Sequence, residues 1–437
     1  MAGLLAARTL ADHFAKVTIV ERDQLQNDAS LRPGVPQARH VHILLARGQQ
    51  ILESLFPNFL AKLEASGVKP LDFTNDFAIA LGAEWEQRFP SSLTTYPCNR
   101  MTIEWLVRHE LSAFPQIHWQ TQQEVIGLIA SADKKRITGV ELRTRDGRAP
   151  AESTTTELMG DLVIDASGRN SHAPQWLEAH GYAAPQETRI DAFTGYATRT
   201  MALRPDPSRT WKVLYLIATP PEILVGGLIW PLEDGKSWMI GYAGSGKHYP
   251  PTDDAGFIAF ADQLAQPAFA DAIRDATPLG PVVGFRDTAN RMRHYERMPR
   301  LPDGFVVTGD AACTFNPIYG QGMSVAAIGA VLLAKCVKQS PTGQGLPKDF
   351  QRALAKANAL PWQLATLSDV RVPGAEGGTT DRVTRLMHRY LDRYTRIIPR
   401  SKRAQLVFDQ VAHLLAPPTA LFAPDLFFRT LAARRSR

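Results

Sequence analysis

Cysteine is scarce: Cys98, Cys313 and Cys336 are the only three in 437 residues, and they form neither a CxxC pair nor a disulfide framework. That excludes a disulfide-stapled secreted scaffold and favours a reducing compartment, so a cytoplasmic location is expected. Long apolar runs are also missing. The longest, Val325 to Leu333, is far below the roughly 20 residues of a spanning helix, and no segment reads as transmembrane. Neither sign of charge dominates, with 49 Lys+Arg against 43 Asp+Glu and a net charge of +6. Nothing in those totals indicates nucleic-acid binding. No internal repeat of useful period is present. What remains, 44% hydrophobic and 21% charged, is an ordinary globular composition and excludes global disorder or a collagen-like chain. The length calls for two or three domains.

Residues 1–15 read as an amphipathic helix with no basic leader and no small-residue cleavage site. KVTIVE, 16–21, is an unbroken apolar run that suits a buried parallel strand. Loop follows over 24–42, then a helical pattern from about Ile43 to Leu63. Short strands and turns occupy 69–99, a helix Met101–Phe114, and a strand IHWQ. Residues 122–158 alternate as antiparallel strands around a turn at Arg145-Asp146-Gly147. DLVIDAS, 161–167, is a second buried strand. From 178 to 290, KVLYLI, ILVGGLIW and SWMIGYA suggest an antiparallel sheet, interrupted by a helix near 253–276. GFVVTGDAA, 304–312, is again a strand running into small residues. A long helix follows over 321–338, and the chain is helical and basic from about 347.

Three strand ends carry the chemistry. Gly3, in the opening turn of a helix, suits the third glycine of a GxGxxG fingerprint, and Glu21, closing the next strand, can accept hydrogen bonds from a ribose. The first two glycine positions are absent, and an exposed Glu beside a terminal Gly is the plain alternative. The second string is Thr308-Gly309-Asp310-Ala311-Ala312 with Pro317, Gly320, Gln321, Gly322 and Met323. A buried strand delivers Asp310 to its carboxyl end, where ligands sit in open α/β sheets, and the glycines let backbone N–H groups approach a polar edge. A turn using Gly for its geometry is the alternative. The third is Asp165-Ala166-Ser167-Gly168-Arg169 after DLVI, a turn in isolation but a third strand end at one crevice beside the others.

The half-fingerprint, the Asp-Ala-Ser-Gly segment and the Gly-Asp-Ala segment, in this order and spacing, resemble the three FAD motifs of p-hydroxybenzoate-hydroxylase-like flavin monooxygenases. The likeness covers most of residues 1–340. It implies an α/β fold with a discontinuous Rossmann-like FAD-binding domain (1–68, 100–177 and 286–340). Inserted in it would be an antiparallel β-rich substrate domain (69–99 and 178–285), with a C-terminal helical region (345–437). It further implies that Glu21, with Arg22 beside it, holds the adenosine ribose and Asp310 the ribitol. The 317–323 loop (Pro317, Gly320, Gly322, Met323), which follows Gly309, would lie on the isoalloxazine. Asp165 to Gly168 would lie near the pyrophosphate, and Arg39 and Arg100 match arginines that approach FAD.

By the same resemblance the chain is expected to be an FAD monooxygenase. NAD(P)H would be a transient co-substrate, and oxygen would pass through a flavin C4a-hydroperoxide to an apolar aromatic or polyene molecule. The rivals are a prenyl-lipid-type FAD reductase and an inactive, truncated flavin fold. Trp211, Tyr215, Trp230, Trp238 and Tyr242 are the expected apolar wall over the flavin; no general base can be named. A missing first strand would cost roughly 6–12 kcal/mol of apolar burial, against a typical net stability of about 5–15 kcal/mol. The reading frame is therefore expected to extend upstream by about 10–20 residues.

Other signals weigh less. Gly241-Tyr-Ala-Gly-Ser-Gly-Lys247-His248 imitates a phosphate-binding loop, but His248 replaces the Ser/Thr and two prolines follow. His40 and His42 resemble a metal pair without a third ligand, so no metal is expected. Cys313 reads as a small buried residue, and the absence of a WxWxIP string argues against halogenation. Arg382, Arg385, Arg389, Arg393, Arg396 and Arg400 recur with Leu386, Tyr390, Leu391 and Ile397 as a basic amphipathic helix near 382–403. It is either the solvated face of a docked helix or a contact for an anionic membrane or acidic partner.

Overall fold

The computed structural model describes residues 1–145 and 154–433. The elements that frame the site are, in chain order, α1 (Ala2–Leu10), β1 (Val17–Glu21), α2 (Arg100–Leu111), β2 (Ile117–Thr121), β3 (Val163–Asp165), β4 (Phe305–Val307) and α3 (Gly322–Gln339). They are followed by α4 (Leu346–Asp369), α5 (Arg382–Ile397) and α6 (Lys402–Ala412).

The apolar runs expected as buried parallel strands do pair in parallel. β1 runs beside β2 with Val17 opposite Ile117, and β3 beside β4 with Val163 opposite Phe305. Among the described residues the two pairs are separate and no ladder joins them. Both line one cavity, through Ile19 and Val20 and through Ile164 and Phe305. A three-stranded antiparallel sheet, 123–130, 137–144 and 155–159, adjoins them. The turn expected at Asp146-Gly147 lies outside the described residues.

The second sheet has eight strands. All its pairings are antiparallel except one: Phe77–Leu81 inserts parallel to Val213–Ile217. One face packs on two short helices through Phe257, Phe260 and Phe269, which surround the Tyr242 ring. The other face presents Phe77, Ile79, Tyr215 and Trp230. Two of the expected helices are broken. The 43–63 pattern splits at Pro57, whose ring removes a donor, and at Asn58 with φ +63°. The 253–276 helix splits before Pro267, which opens a new helix as its first residue.

α3 is long and apolar enough to cross a membrane by length and composition. Here it packs on α1, α4 and the helix Ala46–Leu55, as a central helix of the fold. The last of these crosses closely: a Cβ on Gly48 would lie 2.5 Å from Ser324 Oγ and 3.1 Å from Ser324 Cα. α5 and α6 share a small core of their own, Tyr390, Tyr394, Ile398, Val411 and Leu421, onto which Leu81 and Leu364 pack. That contact sets the C-terminal helices against the eight-stranded sheet. The basic helix is therefore docked, by its tyrosine face, and exposes Arg382, Arg385, Arg389 and Arg393.

Candidate functional site

The carboxyl ends of β1, β3 and β4 open on one cavity of about 1680 Å³. Parallel pairing brings Asp165 level with Val307, so the Thr308 N–H donates to Asp165 O (2.9 Å) and the two loops leave the strands together. The first turn of α1 enters between them. A Cβ on Gly3 would lie 3.4 Å from Ala166 Cβ, and one on Gly309 would lie 2.6 Å from Ala2 Cβ. Gly309 also has φ +60°, a conformation that L side chains rarely adopt. Glycine is demanded there twice, by its backbone and by its neighbour.

Gly3, Glu21, Arg22, Arg100, Asp165, Gly168, Gly309, Asp310, Pro317, Gly320, Gly322 and Met323 all border this cavity. Arg39 does not; it is exposed on the outside of a short 3-10 turn. Asp165 borders the cavity, but its oxygens accept from Ser167 N (2.9 Å), Ser167 Oγ (2.6 Å) and Ser171 Oγ. It shapes the 165–171 loop, and the loop backbone is left facing the cavity. Asp310 presents its side chain into the cavity although protein surrounds it. That burial raises its pKa above the usual carboxylate value, against the pull of Arg169 and Arg100. Gly320 ends a 3-10 turn at φ +63°, where a Cβ would strike Ile43, and α3 begins at Gly322 with open space beside it. Of the expected aromatic wall, Tyr215 and Trp230 present the cavity face of the sheet, while the Tyr242 ring packs on the other face among Phe257, Phe260 and Phe269. Trp211 and Trp238 pack edge to face (6.1 Å) under Arg209 instead. Cys313 is buried outside it.

Several residues that the motifs did not single out hold this arrangement. Arg32 is gripped by Glu21 (3.0 Å), Asp23 (2.8 Å) and Glu104 (2.8 Å), and Glu104 also pairs with Arg100 at 3.4 Å. For Glu104 the desolvation that would raise its pKa is outweighed by the α-amino group, Arg100 and Arg32, which bring it to about 2. Behind the 316–323 loop, Asp369 at the end of α4 accepts from Asn290 (2.6 Å), Asn316 (3.1 Å) and Tyr319 (2.7 Å), while Tyr196 donates to Asn316 Oδ1 (2.7 Å). The loop is thus tied to α4 and to the eight-stranded sheet at once. Three histidines, His413 buried and His40 and His42 half-buried, border the cavity and are kept neutral by desolvation: His40 at about 4, His42 at about 3 and His413 at about 4. His40 Nδ1 meets Thr198 Oγ1 at 2.8 Å and His42 Nδ1 meets His40 O at 2.9 Å. Among the described residues no group of three His, Cys, Asp or Glu side chains is placed to hold a metal.

The family model described as "FAD binding domain" matches residues 1–368. The Mycobacterium tuberculosis protein Rv3254 is 32% identical over 381 residues, 85% of this chain and 78% of the relative. Among solved structures, the flavin-dependent brominase Bmp2 superposes with TM-score 0.68 at 15% identity, covering 99% of this chain and 95% of that one. PqsL of Pseudomonas aeruginosa, in complex with 2-aminobenzoylacetate, gives 0.60 at 16%, covering 85% and 94%. The residues present fit such a dinucleotide. Arg100 Nη1 and Gln321 Oε1 are buried without partners among the described residues, in the lining of a cavity that already holds the free Asp310 carboxyl. Desolvation lowers the Arg100 pKa despite Glu104 and Asp310, so its charge is incompletely compensated by protein.

Gly309→Ala should lower stability by about 2 kcal/mol or more, from the left-handed backbone and the Ala2 contact together. Gly322→Ala, in open space, should be nearly neutral; thermal unfolding of both variants, with bound-flavin absorbance, checks the pair. Glu104 has a folded pKa of about 2, below the ordinary 4.5. Its contribution is therefore complete above about pH 4.5 and lost as pH falls towards 2. Glu104→Gln should remove on the order of 3 kcal/mol at neutral pH and flatten the acid limb of the stability curve in that window. Acid titrations with parallel slopes for the two proteins would contradict this.

Proposed function

The chain belongs to the FAD binding domain family and is an FAD-dependent oxidoreductase, and we propose that it is a monooxygenase using NAD(P)H and O₂ to hydroxylate or epoxidise an apolar small molecule. The observation that carries this reading is the continuity of the cavity. The motif residues at the strand ends and the apolar face of the eight-stranded sheet, with Phe77, Ile79, Tyr215 and Trp230, border the same space.

Bound FAD would supply hydride acceptance and oxygen activation, chemistry that no side chain here offers. The residues would do the rest. Glu21, its position fixed by Arg32, would accept from the adenosine ribose, and Arg100 Nη1 would meet diphosphate charge. Asp310 would accept from the ribityl hydroxyls. The backbone around Gly320 and Gly322, held by Asn316 and Asp369, would face the ring system. Phe73, Tyr215 and Trp230 would keep water from the reacting centre.

Purified protein should show a flavin band near 450 nm, oxidise NAD(P)H faster with substrate, and place ¹⁸O from ¹⁸O₂ in the product. Flavin-bound protein whose products never carry ¹⁸O would overturn the monooxygenase reading. Turnover without oxygen would favour a reductase, and a product that forms only with added halide would favour the chemistry named for the brominase.

We also propose that the outer face of α5 meets anionic membrane. Val383 and Leu386 are 70% and 67% exposed among Arg382, Arg385 and Arg389, while His388, Leu391 and Thr395 of the same helix border the cavity. An apolar substrate could pass from bilayer to cavity along it. The protein should co-sediment with anionic vesicles at low salt and lose severalfold binding on Leu386→Asp; no binding at low salt ends the proposal.

A further inference from the structure

Away from the glycine motifs, the cavity is closed by the 84–87 segment, Tyr215, α5 and α6. Two acids lie there, Glu86 and Asp409, only 9% and 4% exposed. Gln405 Nε2 donates to Gln87 O (3.0 Å), pinning α6 to that segment, and Asp409 follows Gln405 by one helical turn on the same face. Glu86 Oε2 and Asp409 Oδ2 are fully buried, and neither has a hydrogen-bond partner among the described residues. The walls between them and the rest of the cavity are Ile79, Tyr215, Leu364, Leu391, Phe408 and Leu421.

Among the described residues no cation forms an ion pair with these acids. Arg400 and Arg403 are exposed and pair with Glu84 (3.6 Å) and Asp425 (2.5 Å). Arg396 borders the cavity without an ion pair to either acid among the described residues. Tyr215, Tyr394 and His413 are the other titratable groups nearby. Desolvation raises both tyrosines and lowers His413 to about 4, so all three are neutral. Desolvation, with Asp409 beside it, raises the Glu86 pKa, and desolvation brings Asp409 to about 8. Two buried carboxyls without an ion-pair partner among the described residues, set among Ile79, Leu364, Leu391, Phe408 and Leu421, are costly to maintain, and buried acids of this kind are ordinarily partnered.

We propose that Glu86 and Asp409 form a recognition site for a protonated amine at the head of an otherwise apolar substrate. The proposal rests on the reading of this cavity as the substrate site and narrows its substrate class. Without ligand the pair holds its protons. When an ammonium enters, one carboxyl releases a proton to solvent, and the resulting carboxylate and its neighbour accept the ammonium N–H bonds. No bond other than N–H and O–H hydrogen bonding changes, and charge balances by the released proton. The two acids are positioning residues; they orient the apolar body and take no part in oxygen transfer.

The test is binding, not turnover, on flavin-loaded protein. Phenylalkylamines of increasing chain length are compared with the alcohols of the same shape by calorimetry at neutral pH. The measurement is made in two buffers of different ionisation enthalpy. At least one amine should bind about tenfold or more tightly than its alcohol, with release of about one proton. Asp409→Asn and the double variant Glu86→Gln/Asp409→Asn should lose both the preference and the proton release, while the flavin spectrum is unchanged. A panel in which no amine is preferred over its alcohol overturns the proposal on the native protein alone. So does a preference that survives the double variant. Protein that carries no flavin would instead count against the oxidoreductase site, a separate failure.

Discussion

The first turn of α1 passes between two loops, with no room for a further methyl group on the Gly309 side and bare contact on the Ala166 side. Ala2 meets Gly309, and Gly3 meets Ala166, at distances set by backbone rather than by adjustable side chains. Because that turn is seated there, the carboxyl ends of β3 and β4 and the start of α1 share one rim. Asp310 then faces the cavity and not the core. α1 in turn packs on α3, so the same close approach fixes the height at which Gly322 opens its helix. A small displacement at position 309 would move the acid, the loop and the helix start together, since each is packed against the next.

Charge is distributed unevenly around this rim. One side is a saturated cluster, where Arg32 gathers three carboxylates and leaves Glu21 fixed in direction. The other side is left incomplete, with an unpartnered nitrogen on Arg100 and a raised carboxyl on Asp310. Saturated groups give rigidity and incomplete ones give affinity for a ligand. The Asn316–Asp369–Tyr319 network belongs to the first kind. Its three donors converge on one buried carboxylate that joins α4, the 316–323 loop and the strand Asn290–Arg293, and Tyr196 adds the eight-stranded sheet through Asn316. It makes the loop a part of the scaffold.

The strand-to-turn strings were legible because each is local: an apolar run, then Gly and Asp within a few residues. β1, β3, β4 and α3 follow from that signal, and so do Gly309, Asp310 and Gly320. Arg39 was misplaced, since its neighbourhood is a loop whose direction no periodicity sets; Arg32, seven residues earlier, is the guanidinium that turns inward. Asp165 reads in sequence like Asp310, and only Ser167 and Ser171 closing on its oxygens separate the two roles. Asp369, Tyr196 and Glu104 carry no motif. They act across separations of 50 residues or more, which composition and spacing do not encode. The same holds for Trp211 and Trp238: nothing local says which face of the sheet the cavity occupies.

The three neutral histidines give this cavity an unusual electrical property. His40, His42 and His413 keep their protons off down to about pH 4 because burial penalises the charged ring. Imidazoles that would ordinarily titrate between pH 5 and 8 are thereby silent in that interval. The field felt by a ligand from these three rings stays constant as the surrounding medium acidifies moderately. A bend in a rate profile between pH 5 and 7 would then not belong to these three histidines, which serve as an inert lining.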